Sequence, residues 1–264
     1  MHWKRVVVAA FALPLFYLCI TKLSPAAFLV LLTVFSVLAQ VEFYAMYKAG
    51  RTLSVAGIVT GALLLGSYYL SAGTSGLQAI VLMTGFMLIS SIRLFMVKDP
   101  ESSLKDLSPV ITGLVYIPVL LTAQWFLRLR GYEWILLLYG CVWASDSLAY
   151  YIGKGMGKKK LYVEMSPNKT VAGAFGSVIG GMVSAALLGG LLLKDIWLPW
   201  LILTGGVVGA VTIVGDLVES MFKRDAGVKD SGSLIPGHGG ILDKLDGVLF
   251  AGPVLYLITL LMDI

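Results

Sequence analysis

The sequence predicts an all-α, polytopic helical integral membrane protein with about nine transmembrane helices. Of its 264 residues, 58% are hydrophobic and only 13% are charged, and the mean hydropathy is +0.88. Soluble domains have about 25% charged residues, so this chain has too few to cover a water-facing surface. Apolar runs long enough to cross about 30 Å of hydrocarbon recur along it. Lipid requires each run to satisfy its own backbone, which a helix does.

The predicted helices follow these runs in order, and turn residues separate several of them. Ser108-Pro109 is typical of a helix N-cap followed by a first-turn proline, and Gly50 and the cluster at 73–76 break the chain between helices. No soluble domain is expected, so 1–264 is interpreted as one membrane-embedded domain. The expected spans are 5–22, 26–47, 53–71, 76–97, 108–127, 133–153, 171–193, 197–221 and 247–264.

The N-terminus and the two cysteines bear on processing and redox state. The first residues have the basic start and apolar middle of a signal sequence but lack a clean cleavage site. We therefore expect them to form the first transmembrane helix. Cys19 and Cys141 both lie in apolar runs and are expected to be small buried side chains rather than a disulfide or a metal pair.

The distribution of Lys and Arg predicts the orientation in the membrane. With a cytoplasmic N-terminus and nine spans, sixteen of the 20 basic residues fall on the cytoplasmic side. This bias places the C-terminus outside and both longer polar loops, 154–170 and 222–246, in the cytoplasm. It also accounts for the net charge of +5, so no nucleic-acid partner is expected. The four outer basic residues are Lys22, Arg128, Arg130 and Lys194.

Small residues recur within the later predicted helices. Gly176 and Gly180 are four residues apart, as are Gly205 and Gly209. This spacing favours close helix packing and therefore a role in the scaffold. Faces rich in small residues would also suit a homodimer.

Acidic residues are scarce, which makes their positions informative. An ionisable group at membrane depth is costly and by default marks a functional site or a wet cavity. Asp216 and Glu219 share one stripe of the eighth helix, while Asp243 and Asp246 are three apart where the ninth begins. The two pairs could converge across the intervening loop. The acids near the expected cytoplasmic ends of spans are Glu42, Asp146, Asp216 and Glu219.

The loop between the two acidic pairs, DSGSLIPGHGGILDKLDG (230–247), is polar and glycine-rich. Carboxylates with His238 as the sole nitrogen ligand nearby suit a hard cation such as Mg²⁺. The glycines of PGHGG allow close approach to a ligand, and His238 would either contact that ligand or bond within the loop. Alternatively, Asp243 and Asp246 simply begin a helix, where the helix dipole favours them. No P-loop, Ser-His-Asp or zinc spacing occurs.

Basic residues concentrate in the same two loops. MSPNKT (165–170) follows Lys158–Lys160, and Lys223, Arg224 and Lys229 open the second loop. Cations, exposed loop amides and carboxylates together indicate a polyphosphate site. The alternative is a basic cluster that contacts anionic lipid head groups. That alternative suits Lys158–Lys160 well, and Lys169 and Lys223 less well.

Two segments resemble one enzyme family. SMFKRDAGVKDSGSLIPGHGGILDKLDG (220–247) closely resembles the signature of the bacterial phosphatidate cytidylyltransferases, the CDP-diacylglycerol synthases. WASDSLAYYIGKGMGKKK…SPNKT (143–170) is similar to the family's upstream conserved stretch. Lys244 stands where the family usually has arginine, which keeps the charge but loses planar two-pronged hydrogen bonding. The first half of the chain supports the resemblance only through its topology.

The resemblance implies transfer of CMP from CTP to phosphatidic acid, giving CDP-diacylglycerol and pyrophosphate in phospholipid biosynthesis. The expected location is the cell inner membrane, with the site facing the cytoplasm. A phosphomonoester has a second pKa of about 6, so the lipid phosphate needs no strong base. The family implies Mg²⁺, with a second cation such as K⁺, held by Asp216, Asp243 and Asp246. Lys169, Lys223 and Arg224 would meet phosphates. Further expected substrate contacts are Ser166, Asn168, Lys229, His238 and Asp146.

Two other functions would use a similar set of residues. A CTP-dependent kinase of a polyprenol or phytol would bind the same metal but transfer the γ-phosphoryl group. A secondary transporter would place its acids at a broken helix near the bilayer midplane. The clustering of polar groups at one membrane face, without corresponding halves, argues against the transporter.

Overall fold

The computed structural model describes residues 14–71, 76–234 and 239–262, and helices dominate this part of the chain. Eight of these helices are long and apolar enough to cross a membrane. The predicted class, a polytopic all-α membrane protein, is confirmed. The part of the predicted first span before residue 14 lies outside the described residues. The helices are α1 (14–22), α2 (Pro25–Met46), α3 (Arg51–Leu70), α4 (Leu77–Met96), α5 (Ser103–Arg130), α6 (Tyr132–Met156), α7 (Val171–Leu192), α8 (Leu198–Asp225) and α9 (Leu242–Leu261).

The first half of the chain forms a bundle in which α2 packs on α3 and α5, and α3 packs on α4. Its core contains the fully buried Phe43 and nearly buried Tyr44 of α2. Gln40 donates to the Tyr44 hydroxyl at 2.9 Å, and that hydroxyl donates to the carbonyl oxygen of Val110 on α5 at 3.1 Å. Polar contacts of this kind hold transmembrane helices together where lipid provides no hydrophobic force.

Helices α6, α7 and α8 approach so closely that only glycine fits at their contacts. A Cβ atom at Gly180 would strike the carbonyl of Ala144 on α6, and one at Gly205 would strike the carbonyl of Gly181 on α7. A Cβ atom at Gly209 would strike the carbonyl of Ser177. The predicted scaffold role of these glycines is confirmed, since backbone meets backbone at each position.

Helix α5 begins earlier than predicted. It starts at Ser103, so Pro109 lies inside the helix rather than in its first turn, and the expected cap at Ser108 is wrong. The segment between α4 and α5 is stabilised by the buried Arg93 of α4. Its guanidinium group pairs with Asp106 at 2.6 Å and donates to three backbone carbonyls of residues 97–101. This interaction orders the chain ahead of the proline. A π-helical segment at Val115–Val119 follows within α5.

Parts of both predicted polar loops have regular secondary structure. The first contains a short antiparallel hairpin, β1 (Lys160–Tyr162) and β2 (Ser166–Thr170). Thr170 then caps α7 by accepting a hydrogen bond from Gly173 N at 3.1 Å. In the second loop, α8 runs to Asp225, so Lys223 and Arg224 lie on the helix and do not open the loop as predicted.

Both cysteines are free thiols, as predicted. Cys141 is buried on α6 with its sulfur 3.6 Å from the carbonyl oxygen of Gly181, and Cys19 is partly buried on α1. They act as small apolar side chains of the bundle.

Candidate active site

Three carboxylates meet where α8 and α9 approach. Asp216 and Glu219 come from α8, and Asp246 comes from the second turn of α9. One oxygen atom of each lies within 4.8 Å of the others. A glycine beside each aspartate makes this possible, because a Cβ atom at Gly215 would strike the Asp246 carbonyl and one at Gly247 would press on Thr212. The sequence predicted that Asp216 and Asp246 converge, and the structure brings them together.

Glu219 is the most deeply buried of the three, with a side chain only 1% exposed. Its Oε2 accepts from Lys223 Nζ at 2.6 Å. Its Oε1 is buried and accepts no hydrogen bond from any residue in the described ranges. A buried acceptor without a partner is destabilising. A cation bound by this group of acids would satisfy it.

Asp243 lies beside this group, and several donors already contact it. Oδ1 accepts from Lys223 Nζ at 2.7 Å. Oδ2 accepts from Gly240 N at 2.7 Å, from Ser231 N at 3.1 Å and from Ser231 Oγ at 2.9 Å. The structure therefore groups Asp216 and Asp246 with Glu219, while the Lys223 ammonium group stands between Glu219 and Asp243.

The charges at this site do not balance. Asp146 of α6, which is exposed and lines the same cavity as Asp216, adds to the four acids of α8 and α9, and among the described residues two lysines form ion pairs with this group. Lys223 bridges Glu219 and Asp243, and Lys169 pairs with Asp216 at 2.6 Å. The ion pairs therefore leave Asp146 and Asp246 without a cationic partner in the described part of the chain, and the burial of Glu219 makes an excess of negative charge beside it costly. Carboxylate oxygens are the ligands that Mg²⁺ prefers, so the residues present fit a divalent cation.

A cavity of about 620 Å³ opens beside the acids, between α6, α7, α8 and the hairpin. Its lining includes Asp146, Asp216, Asn168 and Lys169, together with small residues such as Gly173. This volume is in the range of pockets that hold small molecules. Four of the sequence-predicted site residues thus line one cavity, with acids on its helical wall and Lys169 on the hairpin.

The remaining predicted residues lie around this centre. Arg224 is exposed and donates to the carbonyl oxygens of Met165 at 3.4 Å and Val228 at 3.1 Å, so it ties α8 to the hairpin turn. Ser166 begins β2 outside the cavity lining, and Lys229 is exposed in the loop. Lys244 is exposed on the first turn of α9. His238, a predicted ligand contact, lies outside the described residues.

Tyr116 packs against the two helices that carry these acids, and it was not among the residues predicted from the sequence. It lies in the π-helical segment of α5, where its ring packs against Phe222 and Phe250 at centroid distances of 5.2 and 6.3 Å. These two rings belong to α8 and α9, the helices that carry Asp216, Glu219 and Asp246. The Tyr116 hydroxyl is buried and has no hydrogen-bond partner within the described part of the chain. The position of Tyr116 in an apolar run of the sequence gave no indication of a functional role. Its π-helical segment does, since such segments often occur at functional sites, but that segment is visible only in the structure.

Comparisons with known proteins agree with the sequence resemblance. The model of a family described as the cytidylyltransferase family matches residues 3–262. A phosphatidate cytidylyltransferase of Synechocystis sp. is 47% identical over 130 residues, which cover 48% of this chain and 43% of that protein. Those of Bacillus subtilis and Staphylococcus epidermidis are 43% and 38% identical, over 53% and 60% of this chain and 54% and 61% of theirs. The matched part therefore spans about half the length of these relatives.

Proposed function

Because the chain belongs to the cytidylyltransferase family, we propose that it is a phosphatidate cytidylyltransferase. It transfers CMP from CTP to phosphatidic acid and releases pyrophosphate, with 1–264 acting as one membrane-embedded domain. The names of its relatives support this activity. The observation that carries the proposal is the junction of α8 and α9, where acids able to hold a cation adjoin the buried Lys223, the partly buried Lys169 and a cavity.

Asp216, Glu219 and Asp246 would hold Mg²⁺, and Asp243 remains a candidate ligand once Lys223 turns toward a phosphate. This assignment is supported by the proximity of their oxygens, the unpartnered Glu219 Oε1 and the excess negative charge. When bound, Mg²⁺ supplies charge neutralisation for the phosphoryl groups that have to approach one another. A second cation such as K⁺ would fit the same excess of carboxylates.

Lys169 and Lys223 are the residues that would bind phosphates. Each now pairs with a carboxylate at 2.6–2.7 Å. An incoming polyphosphate would offer these ammonium groups stronger partners. Lys169 lies in the cavity lining, so the cavity is the place proposed for CTP, with Asn168 and Asp146 orienting it.

The lipid substrate would keep its acyl chains in the bilayer beside α6–α9 and present its phosphate to the same acids. The phosphate oxygen attacks the α-phosphorus of CTP, a P–O bond to that phosphorus forms, and the bond to the pyrophosphate oxygen breaks. The lipid phosphate is largely ionised at neutral pH, so a general base is not required. The residues of the site mainly align two anions and oppose their repulsion.

The proposed location is the cell inner membrane, with the active site facing the cytoplasm and the C-terminus outside. The bias of Lys and Arg supports this orientation. The two polar loops lie on one side of the protein, since Arg224 contacts the hairpin and Lys169 contacts α8. CTP would therefore reach the site from the side where nucleotides are made. The membrane lipids and a second copy of the chain are the other expected partners.

An assay with labelled CTP tests this function. Purified protein is given Mg²⁺, phosphatidic acid and CTP labelled at the α-phosphorus, and we expect label to enter lipid and pyrophosphate to be released only with both substrates. Transfer of label from γ-labelled CTP to a lipid alcohol would instead support a CTP-dependent kinase. Transport without pyrophosphate release would support a carrier. Either result would contradict the proposal.

A further inference from the structure

Glu42 of α2 contacts the start of α9, which lies about 200 residues away in the chain. Its Oε1 accepts from Ile241 N and its Oε2 accepts from Leu242 N, both at 2.9 Å. The Ser231 hydroxyl lies 3.1 Å from the same Oε2. Helix α9 has no side-chain cap of its own at Ile241. Glu42 therefore supplies, from the first half of the fold, the acceptors that a helix N-terminus requires.

The fit between Glu42 and the loop leaves no spare room. Glu42 is only 9% exposed and Ser231 6% exposed. A Cβ atom at Gly240 would strike the Ser231 hydroxyl and the Glu42 carboxylate, and one at Gly232 would come within 2.8 Å of Glu42 Oε1. Two glycines of the loop are thus needed because the Glu42 carboxylate is pressed against its backbone. Its two oxygens accept from two backbone N–H groups and lie outside the group of acids whose oxygens come within 4.8 Å of one another, so Glu42 supports that group from outside.

Glu42 and Asp243 share one hydrogen-bonding partner. The Ser231 hydroxyl lies 2.9 Å from Asp243 Oδ2 and 3.1 Å from Glu42 Oε2. A hydroxyl has a single proton, so it donates to one carboxylate at a time. When Asp243 engages a ligand, this proton can turn to Glu42, and the loop stays anchored. The start of α9 is also where Asp243 and, one turn later, Asp246 are attached.

We propose that Glu42 is a positioning residue for the active site: it fixes the first turn of α9, and through it the carboxylates of Asp243 and Asp246. This inference rests on the proposed function for its role in the reaction, but the anchoring can be tested separately. Residues that orient ligand-bearing groups typically change metal affinity or activity about 10–100-fold when they are replaced. Glu42 needs to be in place for the acids of α9 to meet those of α8.

The test compares Mn²⁺ binding by purified Glu42→Gln and unsubstituted protein, without substrates, by electron paramagnetic resonance. Glutamine keeps the size of the side chain but offers one acceptor oxygen where the carboxylate offers two, so one backbone N–H loses its partner. We expect the dissociation constant for Mn²⁺ to rise about 10-fold or more. Turnover at saturating substrate should fall by a similar factor, with KM for CTP less affected. Ser231→Ala should give a smaller change in the same direction, and its effect should not add to that of Glu42→Gln.

Gln40→Leu is the matched control, since Gln40 is buried on the same helix but bonds to Tyr44 and Gly57, away from α9. It should lower the thermal stability without weakening Mn²⁺ binding. Equal Mn²⁺ affinity in Glu42→Gln and the unsubstituted protein would overturn the inference, as would absence of Mn²⁺ binding from both. If the unsubstituted protein binds Mn²⁺ but transfers no cytidylyl group, the proposed function fails while the anchoring role still stands on the binding data.

Discussion

Replacing Lys223 with methionine tests how the acids of α8 and α9 are held in the absence of metal. The Lys223 ammonium group is 2.6 Å from Glu219 and 2.7 Å from Asp243, and the three side chains are 11%, 1% and 11% exposed. Methionine keeps most of the volume and removes the charge. Two buried carboxylates then lose their common cation, and the variant is strongly destabilised because a buried charge is left unpaired.

Breaking a buried ion pair from one side costs about 3–5 kcal/mol. For a chain of this size we expect a fall in Tm on the order of 10 °C, measured by thermal unfolding in detergent with a chelator present. Mn²⁺ should then raise the Tm of Lys223→Met more than that of the unsubstituted protein, because it replaces the missing charge. Adding a second substitution, Glu219→Gln, should raise the Tm of Lys223→Met, since it removes one of the two carboxylates that have lost their ion-pair partner.

Lys244→Met is the control, because Lys244 is an exposed lysine next to Asp243 in sequence. Its free energy of unfolding should change by no more than about 0.5 kcal/mol, as for most surface positions. If Lys223→Met unfolds at the same temperature as the unsubstituted protein in chelator, or gains nothing extra from Mn²⁺, the charge argument for this site is wrong.

Three further outcomes are expected. Asp243→Asn should lower cytidylyl transfer at least about 100-fold while the protein stays folded. Asp195→Asn, at an exposed position in the connection between α7 and α8, should leave transfer unchanged. Near-normal activity in Asp243→Asn would remove this residue from the site. Tyr116→Phe should not lower the Tm, because the hydroxyl it removes is buried and has no hydrogen-bond partner among the described residues. It should, however, weaken Mn²⁺ or CTP binding. The control Tyr139→Phe loses a hydrogen bond to Gln124 and should lower the Tm while leaving binding intact. EDTA should stop transfer and Mg²⁺ should restore it, and transfer that continues in EDTA would contradict a cation-dependent site.

The fold class could be predicted because few backbone structures can satisfy their hydrogen bonds within the hydrocarbon of a bilayer. Apolar runs bounded by polar turns have to become helices, and most predicted spans lie within a few residues of the observed ones. The predicted helix boundaries were wrong where contacts with residues distant in sequence determine where a helix begins or ends. Helix α5 starts before Pro109 because Arg93 forms hydrogen bonds with the segment ahead of it. Helix α8 extends through Lys223 because that lysine forms ion pairs with Glu219 and Asp243 and is not left in solvent.

The candidate site could be predicted only in part. Asp216 and Asp246 were recognisable because charged residues stand out in an apolar chain, and the structure brings them together. Glu42 and Glu219 were noted only as acids near the expected cytoplasmic ends of spans, because their contacts reach across the fold and cannot be predicted from local spacing. The metal and substrate roles of Asp216, Asp243, Asp246 and the basic residues stay predictions until the cation and nucleotide are measured.

The direct backbone contacts of α6, α7 and α8 limit how the neighbouring cavity can change shape. Where backbone contacts backbone there is no side chain that could change rotamer, so the distances between these three helices are expected to stay fixed. At the proposed CTP site, room for a bulkier nucleotide would have to be gained on the opposite side, where Lys169 and Arg224 connect the hairpin to α8. Tolerance toward altered nucleotides should therefore be adjustable through the hairpin sequence, while the glycine contacts stay constant.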